Sequence, residues 1–163
     1  AKPEPRSSEH RSPPREGRPG GAGDMSAFHD LYTGRLWSIM SWDQLTAFWA
    51  RVGGEGWYLY AVGEEVPTAP APAETTAEFV RRIDALLRDD HRHDYCAIVY
   101  ADNLDAPSFV KIYDPNNLGV SCGFSTHPPL PGWIMSRVPP DDLRAERKPP
   151  EGRRRWWRAL TGR

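Results

Sequence analysis

The chain has 163 residues, with 21 Lys/Arg against 22 Asp/Glu for a net charge of −1, and two cysteines. No apolar run approaches the roughly 18–20 residues that span a bilayer, and two cysteines are too few for a disulfide scaffold. With no charged-then-apolar leader and no Asn-x-Ser/Thr sequon, the composition reads as cytoplasmic with reduced thiols.

The near-zero net charge hides a strong asymmetry. Residues 1–24 hold five basic against four acidic side chains, residues 25–143 eight against sixteen, and residues 144–163 eight against two. An acidic body therefore ends in a basic tail, a pattern expected of an interaction tail. Residues 1–24 contain no Leu, Ile, Val or aromatic, so they cannot bury enough apolar area to offset backbone ordering. They read as a disordered extension ahead of Met25, which has the look of a natural start.

Residues 27–40, "AFHDLYTGRLWSIM", suggest a short helix leading into a strand. Ser41 then precedes Gln44 at capping-box spacing, and Leu45, Phe48, Trp49 and Val52 form one helical stripe that Gly53 and Gly54 terminate. "WYLYAV" (57–62) is apolar on both faces and predicts an interior strand. A Pro-Ala linker leads to a second helix, where Thr75 and Glu78 repeat the capping spacing. Phe79, Ile83, Leu86 and Leu87 make its buried stripe, and it ends near Asp90–His91. "YCAIVYAD" (95–102) and "SFVKIYD" (108–114) read as a hairpin, "DPNNLG" (114–119) as a turn, and "WIMSRV" (133–138) as a last strand.

These elements predict a single small α+β domain over residues 25–143. Its antiparallel-rich sheet has three to five strands, with two main helices packed on one face. A disordered arm (1–24) and a basic Arg/Trp tail (144–163), able to form a short amphipathic helix, flank it. No Gly-rich phosphate loop is present, since "GGEG" (53–56) follows a helix and precedes a strand, and no motif calls for a cofactor.

Three groups of residues carry chemistry. His91, His93 and Cys96 are zinc-type ligands. Their spacing matches no strong zinc motif, and regular helix or strand geometry would point them apart. The cheaper account makes the histidines a favourable charge at a helix C-terminus and Cys96 a small core residue. In "GVSCGFSTH", Cys122 sits among small loop residues five positions before His127. Thiol catalysis would use Cys122 as nucleophile, His127 as base and Asp114 or Asn116 as the orienting group. The paired acids Glu64–Glu65, Asp89–Asp90 and Asp141–Asp142 read as solvated charge, and "PPLP" (128–131) as a stiff lead into the last strand.

The tail "RKPPEGRRRWWRALTGR" is the third group. Arg153, Arg154, Arg155, Trp156, Trp157 and Arg158 combine the two residue types most enriched in binding hot spots. They suit an acidic protein groove, an anionic membrane surface or nucleic acid, and the acidic body argues against the two polyanions. The competing account is that the tail folds back on its own acidic body. The leading expectation is a non-enzymatic accessory or regulatory protein that binds a larger protein partner, helped by the tail. A cysteine-dependent enzyme is the alternative, and a metal-binding protein is the weaker one.

Overall fold

A computed structural model of the chain describes residues 26–118, 130–143 and 151–162. The elements run α1 (Ala27–Thr33), β1 (Trp37–Ser41), α2 (Trp42–Trp49), β2 (Tyr58–Ala61), α3 (Ala73–Asp90), β3 (Tyr95–Ala101) and β4 (Phe109–Ile112). A 3-10 turn (Pro115–Asn117), β5 (Trp133–Ser136) and α4 (Glu151–Thr161) complete them. The five strands form one antiparallel sheet in the order β1-β3-β4-β5-β2, so the protein is a small α+β domain as its sequence predicts. β2, expected inside the sheet, is instead an edge strand, its apolar residues buried by the packing around it rather than by strands on both sides. The expected disorder of residues 1–24 falls outside the described residues.

Side-chain alternation sorts the sheet into two faces. Leu59 and Ala61 of β2, Val110 and Ile112 of β4, and Trp133 and Met135 of β5 join the larger core. α2 and α3 cover that face, and α4 joins them through Trp157. The alternate residues Tyr60, Phe109 and Ile134 pack with Phe28 of α1 on the other face. There Phe28 and Phe109 meet edge to face, ring centroids 5.5 Å apart. Lys111, central on that face, donates from Nζ to the Tyr32 carbonyl at 2.7 Å and lies 3.7 Å above the Tyr32 ring. It thus satisfies a carbonyl at the C-terminal end of α1, where a cation is favoured.

Caps and turns follow the sequence with three corrections. α2 ends at Trp49 with Ala50 as its C-cap, short of the expected stop at Gly53 and Gly54, and a turn carries Val52 into the core. Ser41 caps α2, its Oγ accepting from the Gln44 amide at 3.0 Å. The reciprocal arm goes to Met40 rather than Ser41, the Met40 N–H donating to Gln44 Oε1 at 2.9 Å. The capping box expected at Thr75 and Glu78 does not form. α3 begins at Ala73 behind Pro72, whose φ of −57° suits a helix entry without a side-chain bond. Glu78 is instead one turn inside the helix and accepts from Arg81 and Arg82. At the hairpin, Asp102 Oδ1 accepts from the amides of Ser108 and Phe109, and Asn103 Oδ1 from those of Asp105 and Ala106.

β3 contains an irregularity. Ala97 has φ of +53°, the only non-glycine residue with positive φ among the described residues. The β1–β3 register shifts beside it, between Ile39 and Ser41. That bulge brings Cys96, Ile98 and Val99 all into the larger core.

Candidate functional site

α4 is held by charge at one end and by aromatic rings along one side. Its seat lies between the C-terminal end of α3, the 3-10 turn, the start of β5 and the segment after β2. Arg153 donates from Nε to Asp114 Oδ2 at 3.0 Å and from Nη2 to Asp114 Oδ1 at 3.3 Å, and it also pairs with Asp90. The Asp114 side chain is 8% exposed and that of Arg153 19%, so this fork is largely sheltered from water. Asp114 also accepts from the Asn116 amide at 2.9 Å, capping the 3-10 turn, and Asn116 Nδ2 donates to Asp90 at 3.2 Å. One turn of α4 and two parts of the body thus share a single polar cluster. Arg154 completes the lashing with a 2.9 Å bond to Glu64.

The tryptophans fill the space behind these ion pairs. Trp157 is buried and meets Phe79 edge to face at 6.1 Å. Trp156 meets Phe79 at 6.3 Å and Trp133 at 5.8 Å. Full burial of a large apolar side chain contributes about 2–3 kcal/mol. Leu160 packs on the same side. Arg155 and Arg158 are exposed and make no ion pair among the described residues. The six tail residues therefore divide. Arg153, Arg154, Trp156 and Trp157 contact the body, and Arg155 and Arg158 project into water one helical turn apart.

The other candidates are placed as follows. Cys122 and His127 lie outside the described residues. Asp114, the carboxylate considered for orienting that histidine, is engaged by Arg153 and the Asn116 amide. Cys96 is fully buried, and burial pushes its thiol above the ordinary value. His91 is 7% exposed, with Nε2 2.9 Å from the Cys96 carbonyl. Burial lowers its pKa, the Cys96 carbonyl opposes that shift, and the adjoining His93 adds to it. The neutral form of His91 is therefore favoured, and the basic side chain in the last turn of α3 is Arg88, whose guanidinium bonds Asp84, the Trp42 carbonyl and the Thr46 hydroxyl.

The expectation that the two histidines diverge is also corrected. Their ring centroids are 4.7 Å apart, because residues 91–94 are neither helix nor strand. His93 also stacks on Tyr95 at 5.1 Å, and its carbonyl accepts from the Trp42 indole at 2.8 Å. Among the described residues no group of three or more His, Cys, Asp or Glu is arranged to hold a metal ion.

Of the paired acids, Glu64 and Asp90 are not merely solvated charge, since both bind α4. Sequence spacing could not reveal this, because their partners are 90 and 63 residues away. The signal that did exist was bulk charge, a basic segment following an acidic body. A shallow open depression bounded by Ile39, Gln44, Phe48, Arg51, Leu104 and Asp105 lies beside β1. Among the described residues it holds one carboxylate, with no histidine, cysteine or serine beside it. Among the described residues no helix is long and apolar enough to cross a membrane. No family model, curated protein or solved structure matches this chain.

Proposed function

We propose that this is a non-enzymatic accessory or regulatory protein of the cytoplasm that binds a larger protein partner, with the tail helix contributing. The observation that carries the reading is the division of labour among the arginines of α4. Arg153 and Arg154 fix the helix to the body, and Arg155 and Arg158 stay in solvent at i, i+3 spacing. A helix already held in place presents these two guanidinium groups with its backbone ordered before binding, so only their side-chain freedom is left to lose. Their chemistry suits carboxylates on an acidic protein surface, each engaged through two parallel N–H bonds. The acidic body weighs against a nucleic acid or an anionic membrane in that role.

The test is charge reversal of the outward pair, Arg155→Glu with Arg158→Glu, in the tagged full chain. Partners recovered from native lysate are quantified against wild type. The expected result is selective loss of a partner with an acidic surface, at an unchanged melting temperature. Equal recovery with both chains rejects the role of the tail.

A further inference from the structure

The sheet has two edges, and they are finished differently. At one edge Leu59, Tyr60 and Ala61 of β2 are buried, and the returning chain bonds beside them, Ala71 N–H donating to the Trp57 carbonyl at 2.8 Å. At the other edge β1 leaves Trp37 50% and Met40 55% exposed. The remaining six tryptophans all pack against the larger core. An exposed strand edge carrying large apolar side chains is a template for another strand.

Among the described residues, no strand pairs with β1 on the side away from β3. Residues 1–25 contain one large apolar residue, Met25, and residues 144–150 contain none. The third segment outside the described residues, 119–129, contains two large apolar residues, Val120 and Phe124. β1 is, however, complementary to itself. In an antiparallel pair about a two-fold axis at Ile39, positions equidistant from Ile39 face one another. Trp37 then faces Ser41 of the second copy, and Met40 faces Ser38, so each large side chain meets a small one. Beyond the strand ends, Arg35 approaches Asp43 of the other copy. Both are exposed, and neither makes an ion pair among the described residues.

The geometry points to β1 as a self-pairing edge, which joins two copies into one continuous ten-stranded antiparallel sheet. The covered β2 edge stops the assembly at two, because an isologous contact closes on itself. One short strand buries less than the ~800 Å² per partner of a standard interface, so the dimer forms and dissociates with concentration. Gln44 restrains it. The Gln44 side chain occupies the Met40 amide, and the full ladder forms when it turns aside.

Sedimentation equilibrium of the full chain over a range of concentrations tests the proposal. A monomer–dimer equilibrium is expected. Met40→Lys and Trp37→Ser should each weaken it by about tenfold or more, and Gln44→Ala should strengthen it. Arg155→Glu with Arg158→Glu should leave it unchanged, which separates it from partner binding by the tail. Wild type and Gln44→Ala both remaining monomeric would overturn the proposal. So would a dimer that Met40→Lys and Trp37→Ser leave intact.

Discussion

Arg153 and Asp114 stand 39 residues apart in the chain, yet they form a two-bond fork with Nε 3.0 Å from Oδ2. The same carboxylate caps the turn at Asn116, so the tail helix and the end of β4 are tied at one point. Removing the guanidinium leaves a sheltered carboxylate with a single backbone donor, the Asn116 amide, among the described residues. Arg153→Ala should therefore cost about 1–3 kcal/mol and loosen α4, read as a red shift of tryptophan emission with a lower denaturant midpoint. Asp114→Asn should do much the same. The double variant should cost less than the sum of the two, because the residues act as a pair.

The backbone at Ala97 supplies a stabilising substitution. A non-glycine residue at φ +53° carries strain of about 1–3 kcal/mol, and glycine adopts this conformation freely. Ala97→Gly also raises the entropy of the unfolded chain, which takes back about 0.5–1 kcal/mol. The expected net result is a gain of about 0–2.5 kcal/mol, with Ala97→Val destabilising through its branched Cβ. Urea titration of the three proteins measures both signs.

A second gain is expected inside α3. Thr76 is fully buried, and its hydroxyl has no hydrogen-bond partner among the described residues. An unmade bond of this kind costs about 1–3 kcal/mol, and valine has nearly the same shape. Thr76→Val should raise stability by about 1 kcal/mol. A loss in thermal unfolding would show that the hydroxyl is satisfied in solution.

His91 predicts the acid side of the stability profile. Its folded pKa is lowered by burial, so below about 6.5 the unfolded chain takes up this proton more readily than the folded one. The stabilisation is present above that pH and is lost as pH falls toward the folded pKa. The facing groups are the His93, Tyr95 and Trp42 rings and the Cys96 carbonyl. His91→Gln should flatten the fall in denaturant midpoint between about pH 7 and 5. An identical slope in both proteins would assign the fall to other groups.

The sequence was most informative where periodicity is strong. The stripe Phe79, Ile83, Leu86, Leu87 is buried as its spacing requires, and Ser41 caps α2 from its position alone. The order of strands was not legible, because pairing β2 with β5 depends on packing that no local pattern encodes. Residues 91–94 misled for a related reason. Geometry argued from regular helix or strand fails in a connection that is neither, and there the two histidine rings meet. At the tail, charge indicated an interaction without naming its address. Only the folded chain assigns Arg153 to Asp114 and leaves Arg155 and Arg158 facing water.

The sheet order carries a consequence for how the chain comes to be folded. β1 and β2 are consecutive strands, yet they occupy opposite edges, four inter-strand spacings or ~19 Å apart. Before Trp133–Ser136 has been synthesised, β2 lacks the strand it pairs with among the described residues. A nascent chain that stops short of Trp133 therefore holds Tyr58–Ala61 as an unzipped ribbon. That stretch is where chaperone binding or premature aggregation would concentrate, and it falls silent only when β5 arrives.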